Sequence, residues 1–277
     1  MSSDDSSDRS LPNRPGARRL RSSLSVTLSV WNALFLREGV TRLAAGRAEW
    51  LWILLEPIVH VVFLMIVFST LRTRSLSGAD FAIFLAVGVM GFTMFRNPAT
   101  RGMEAVNANR ALFAYRQVKP VDAVIVRVFL EGFVEFMAIL LVISGAAFVG
   151  MDAIPHDPLK ALTGIAMLWL FGSGVGLMLA VGKELVPEIG KVVNMLFTPL
   201  YFLSGVMFSP AALPAVARDW LLVNPIMHGI EYTRSGFFPG YHLTPGVDIF
   251  YLATFATLSI FLGLALHVRF EKRLVAL

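Results

Sequence analysis

Four ionisable side chains stand inside otherwise apolar stretches and are the first candidates for chemistry. Arg127, Glu131 and Glu135 are spaced i, i+4, i+8, which places them on one face of a helix. Glu56, followed by Pro57, stands in an earlier apolar run. Ionisable groups at membrane depth are costly, and they mark ion pairs or proton paths. Two readings are open. Glu56, Glu131 and Glu135 could form the proton relay of a secondary transporter. Alternatively, Arg127 pairs with a carboxylate on its own helix or with Glu56 across helices. All four cluster near one end of the apolar runs, which suits pairing.

Other reactive constellations are thin. The chain has no cysteine, which excludes disulfides, Cys-ligated metals and thiol nucleophiles. The nearest approach to a P-loop runs from Gly176 to Lys183, one residue too long and followed by Glu184 where Ser or Thr is needed. ATP hydrolysis by this chain alone is therefore excluded. Ser204-Gly205 with His228 offers a nucleophile and a base for an intramembrane hydrolase, but Phe202 stands where such a motif has glycine. The other histidines, His60, His156, His242 and His267, lack metal-ligand spacing. No catalytic or metal-binding residue is expected. Gly172, Gly174 and Gly176 give a small-residue face suited to close helix packing.

These residues must be positioned by membrane helices. The 277 residues are 56% hydrophobic and 16% charged, below the roughly 25% charged usual for soluble domains. Residues 1–23, rich in Ser, Asp and Arg with Pro12 and Pro15, read as a disordered cytosolic tail rather than a signal peptide. Residues 24–48 read as an amphipathic interface helix, with Leu24, Leu28, Trp31 and Phe35 at helical spacing and Arg37, Glu38 and Arg42 following. Such a helix suits a membrane surface or packing on a partner protein.

Six apolar stretches follow in the transmembrane domain, 49–277: Trp50–Leu71, Phe81–Phe95, Ala123–Val149, Leu159–Val181, Ile189–Phe208 and Val247–Val268. A span needs about 20 apolar residues to cross about 30 Å of hydrocarbon, so the short second stretch should extend through Asn97 and Pro98. An even number of spans puts both termini on one side. Of the 24 Lys and Arg, 18 fall on that side, five on the other, and Arg127 lies within a span. The bias makes that side cytoplasmic. The net charge of +5 is accounted for by these loops facing anionic lipid, with no nucleic-acid partner needed.

Two segments outside the spans are informative. Residues 101–119 are long for a turn and mix Arg101, Asn107, Asn109 and Arg110 with Met103, Leu112, Phe113 and Tyr115. A short helix with apolar anchors and a charged rim docks into a partner's groove; a solvated connector is the alternative. Residues 209–246 carry five prolines and charges that break the apolar runs. A lipid-exposed span tolerates no such breaks, so a pair of re-entrant helices on the outer side is expected. Trp220, Tyr232, Phe237, Phe238 and Tyr241 lie there, suiting either sugar rings at an exit or an interfacial aromatic belt.

Three stretches then carry a family resemblance: Phe35–Arg42 with Trp50–Pro57; Asn109–Asp122 continuing to Arg127 and Glu131; and Ser204–Ser209 with Leu213-Pro, Asn224-Pro, Glu231–Arg234 and Phe237–Tyr241. In this order they resemble the permease subunit of ABC-2 type exporters of capsular polysaccharide, with O-antigen exporters as the nearby alternative. The resemblance implies an all-α integral membrane protein of the inner membrane. Its parts would be six transmembrane helices, an interface helix, a coupling helix at 101–119 and re-entrant helices before the last span. It also implies pairing with a second copy of the chain and with two copies of a separate ATPase. That ATPase binds ATP and Mg, leaving no cofactor in this chain. The implied substrate is a lipid-linked, usually acidic polysaccharide, passed to a periplasmic copolymerase and an outer-membrane export protein. On that view Arg96 and Arg101 hold the lipid-linker phosphate, where arginine's fork suits phosphate, or else anchor the membrane surface.

Overall fold

The computed structural model describes residues 23–44, 55, 58, 59, 62, 63, 66, 67, 81–115 and 117–276. The expected tail and nearly all of the first span, Glu56 included, lie outside the described residues. Every regular element among the described residues is helical. In chain order these are α1 (Ser23–Ala44), α2 (Phe81–Met103), α3 (Ala105–Ala108), a 3-10 turn (Arg110–Ala114), α4 (Pro120–Phe148), α5 (Pro158–Leu185), α6 (Ile189–Leu203), α7 (Ala215–Leu221), α8 (Pro225–Phe237) and α9 (Ile249–Ala276).

Among the described residues, three helices are long and apolar enough to cross a membrane by length and composition: Phe81–Met103, Pro158–Leu185 and Ile249–Val275. The 29-residue α4 exceeds them in length and holds Arg127 and Glu131 in its first half and Glu135 at its middle. Several expected boundaries move. The sixth stretch continues past Val268 to Ala276, and the second runs beyond Pro98 to Met103. The fifth ends at Leu203, five residues before Phe208, because Gly205 takes φ +68° and turns the chain. A positive φ is cheap only for glycine.

Proline sets where several helices begin. Pro120, Pro158 and Pro225 each occupy a first-turn position, where a missing N–H costs nothing. Asp157 caps α5 by accepting from the Lys160 N–H at 3.0 Å, and Asn224 caps α8 from Ile226 N–H at 3.0 Å. Asp122 closes a capping box on Lys119 N–H at 3.1 Å. Part of the proline-rich outer segment is thus a set of helix starts rather than loop.

Helix α2 is the centre of the fold, buried along almost its whole length. The glycine face of α5 packs on it as expected. A Cβ on Gly176 would fall 2.7 Å from the Pro98 carbonyl oxygen, and one on Gly172 would overlap the Phe95 carbonyl. Gly174 meets Ser259 of α9 in the same way. One apolar core joins α2, α5, α8 and α9, and a second, around the 101–119 segment, gathers Ala105, Val106, Phe113, Val124, Leu177 and Leu274.

Candidate functional site

The interface helix is fastened to the 101–119 segment and the start of α4. Trp31 Nε1 donates to Asp122 Oδ1 at 2.7 Å, and Arg37 donates to Asn109 Oδ1 at 3.0 Å. Arg127 Nε lies 3.2 Å from Glu38 Oε1, and the Phe35 and Phe129 rings meet edge to face at 6.5 Å. Trp31, Phe35 and Glu38 thus turn one face of α1 onto α4 and leave Leu28, Leu36 and Val40 exposed. The Arg42 side chain lies outside the described residues.

Among the described residues the carboxylate beside Arg127 is Glu38 of α1, which the sequence did not suggest; the expected Glu56 pair lies outside the described residues. Glu131 and Glu135 face α2 instead: Arg101 Nε is 3.9 Å from Glu131, and Asn97 Nδ2 donates to Glu135. Both carboxylates are buried. A helical wheel gives the face of a residue but not the helix opposite, so sequence could not choose among these partners.

The 101–119 segment is held by its own apolar side chains. Val106 and Phe113 are buried in the second core and Met103 is buried as well, so they anchor the segment rather than projecting as knobs for a partner. Asn109 is buried too and donates to the Ala105 carbonyl at 2.9 Å. Asn107, Arg110 and Tyr115 point outward, Tyr115 being 67% exposed, and Leu112 is half-buried. Lys183 bonds Glu104, Arg110 bonds Glu184, and Lys119 lies 3.5 Å from Glu271. These contacts tie the segment to the ends of α5 and α9.

At the other end of the molecule the structure shows a site that the sequence did not. Arg234 and Glu231 are both fully buried and paired at 3.1 Å. Arg234 also donates to the carbonyls of Gly205 at 2.8 Å and Val206 at 2.6 Å, and its guanidinium sits 3.6 Å from the centre of the Phe84 ring. Glu231 accepts from Tyr241 Oη at 2.9 Å and Thr244 Oγ1 at 3.0 Å. Burial, and then the Glu231 charge, push the Tyr241 hydroxyl pKa well up, so it remains a donor. The signal was present as two opposite charges spaced i, i+3 in an apolar helix.

The expected outer aromatics divide. Phe237 and Phe238 are buried, and Phe84, Phe238 and Tyr241 pack ring against ring, so packing rather than glycan contact is their role within this chain. Trp220 is 77% exposed, and Tyr232 is half-buried with Lys160 Nζ 5.4 Å from its ring centre. His228 holds Leu222 O at 2.7 Å and the Asp248 N–H at 2.9 Å. Ser204 donates to Leu200 O and accepts from Asn224, so the two groups of the hydrolase reading do not meet. Among the described residues no group of three His, Asp or Glu is placed to hold a metal.

The sequence profile described as ABC-2 type transporter matches residues 30–238. The chain is 34% identical over 255 residues to the polysialic acid transport protein KpsM of Escherichia coli, covering 92% of this chain and 98% of that one. It is 29% identical to the capsule polysaccharide export inner-membrane protein BexB of Haemophilus influenzae, covering 91% and 95% of the two chains. It is 26% identical to the inner-membrane protein of the same description, CtrC, of Neisseria meningitidis serogroup A, covering 90% and 94%. With the helical fold and the fastened cytoplasmic segment, these matches place the chain in the ABC-2 type transporter family.

Proposed function

We propose that this chain is the membrane-spanning subunit of an ATP-driven exporter that moves lipid-linked capsular polysaccharide outward across the bacterial inner membrane. The observation that carries this is the near full-length match to three capsule and polysialic acid export proteins. The geometry supports a division of labour. The 101–119 segment, fixed to α1, α4, α5 and α9 by ion pairs and buried anchors, is built to pass a push from a separate ATPase into several helices at once. Asn107, Arg110 and Tyr115 form the face offered to that ATPase, which binds ATP and Mg.

In this reading six spans put both termini in the cytoplasm, and α7 and α8 are re-entrant helices on the outer side. Two copies of the chain pair with two ATPase subunits. A periplasmic copolymerase and an outer-membrane export protein receive the glycan. Of the two arginines suited to a linker phosphate, Arg101 is turned toward Glu131, which leaves Arg96 for the anion.

The test is to purify the chain with the ATPase encoded beside it and measure glycolipid-stimulated ATP hydrolysis and glycan export. Replacing the P-loop lysine of that ATPase is expected to abolish both. Export that continued would overturn the reading in favour of ion-coupled transport through Glu131 and Glu135.

A further inference from the structure

Helix α8, which carries Glu231 and Arg234, is held at both ends by the long helices beside it. Its first turn is fixed to the start of α9. There the Asp248 N–H donates to His228 Nδ1 at 2.9 Å, and Tyr251 Oη donates to the Val223 carbonyl, just ahead of α8, at 3.0 Å. Its last turn is fixed to the start of α5. There the Asp157 N–H donates to Gly236 O at 2.8 Å and the His156 N–H to Phe237 O at 3.3 Å. The Asp248 donor sets the imidazole tautomer: Nδ1 accepts, and Nε2 donates to Leu222 O at 2.7 Å. The buried His228 ring therefore joins α8, the chain leading into it and α9.

The opposite ends of the same two helices reach the 101–119 segment. Glu184 of α5 pairs with Arg110 at 2.5 Å, and Glu271 of α9 lies 3.5 Å from Lys119. Leu177 of α5 and Leu274 of α9 share a buried core with Val106 and Phe113. Between these ends the two helices are locked side by side. A Cβ on Gly174 would overlap the Ser259 hydroxyl, and one on Gly263 would fall 2.5 Å from Leu177 Cβ. Each is a 28-residue helix with no proline beyond its first turn, about 42 Å long at about 1.5 Å per residue. Helices α2 and α6 instead carry Pro98 and Pro199, where helices kink. Helix α4 is unbroken as well, but it ends at Phe148, which is 93% exposed.

We infer that α5 and α9 form one strut that carries an ATPase-driven displacement of the 101–119 segment to α8, with His228 as the positioning residue at the joint. This rests on the export reading above. Helices whose backbones meet through small residues pack too closely to bend separately, and close-packed interiors transmit displacement. Helix α8 in turn holds Arg234 against the Gly205 and Val206 carbonyls and the Phe84 ring. Movement of the strut therefore bears on the turn that ends α6 and on the start of α2.

The absence of cysteine makes the test direct. Val223→Cys is combined with Val268→Cys or with Phe148→Cys, all at exposed positions, and each pair is spin-labelled. Labelled chain, diluted with unlabelled chain, is assembled with an ATPase freed of reactive cysteine. Pulsed EPR distances are compared without nucleotide and with the ATPase trapped in its ATP-bound state. The pair at 223 and 268, which spans the joint, is expected to hold within about 2 Å, and the pair at 223 and 148 to change by more than that. A shift in the first pair overturns the strut, and so does a fixed second pair. His228→Leu is expected to release the joint, so that trapping shifts the first pair and export is lost while ATP hydrolysis continues. His228→Asn, which keeps an acceptor for the Asp248 N–H, is expected to hold it. Tyr251→Phe, which removes only the bond to Val223 O, is the milder release and is expected to shift the first pair in the same direction. Parent-like distances in both His228→Leu and Tyr251→Phe overturn the joint. The export reading fails separately, through export that survives loss of the ATPase P-loop lysine.

Discussion

Arg234 and Glu231 share a site from which water is excluded, so neither can be removed alone without leaving the other charge buried and unpaired. Arg234→Ala is expected to destabilise the protein by about 3–5 kcal/mol, read as a lowered midpoint of heat-induced unfolding in detergent. Glu231→Gln keeps an acceptor for Tyr241 and should cost less; an equal loss would show that the charge, and not the hydrogen bond, carries the stabilisation. Phe113 shows how residue type misleads at this scale. An aromatic residue in a cytoplasmic segment suggested a knob for a partner, yet burial makes Phe113 an internal anchor and leaves Tyr115 as the exposed ring. Sequence supplies the hydrophobicity of both rings and says nothing of which one the adjacent helices cover.

Between elements, the clasp of α1 on α4 is the most specific contact that the fold adds. Trp31, Phe35 and Glu38 were legible as one helical face, and Arg127 as an ion-pair member, but their meeting was not. If Glu38 and Arg127 pair, Glu38→Arg or Arg127→Glu alone should reduce export by leaving like charges face to face, and the double exchange should restore much of it. Failure of the double exchange, with both single changes harmful, would assign the two residues independent roles. The glycine face of α5 was read correctly from spacing alone. Three glycines at i, i+2 and i+4 serve two neighbours, with Gly172 and Gly176 against α2 and Gly174 against α9.

Across the whole molecule, 13 of the 18 Lys and Arg assigned to the cytoplasmic side lie before the first span or between spans two and three. Two of them, Arg37 and Arg42, lie on α1, and four, Arg101, Arg110, Arg116 and Lys119, in the 101–119 segment; in the export reading proposed above, this charge also marks the face offered to the ATPase. Tags at the two ends, probed in intact and in opened cells, should be reached only after opening. A terminus reached from outside would invert or break the six-span order.

Sequence by itself determined the class of the protein, the glycine packing face and the asymmetry of charge. These depend on composition and on spacing along one helix, which the chain carries locally. Only the tertiary structure decided that Arg127 faces Glu38 and that Arg234 and Glu231 close a buried pair beneath Phe84. A side chain's partner depends on which helix is packed opposite, at what depth and with what rotation. Those quantities are fixed by the joint packing of the helices and by no one segment.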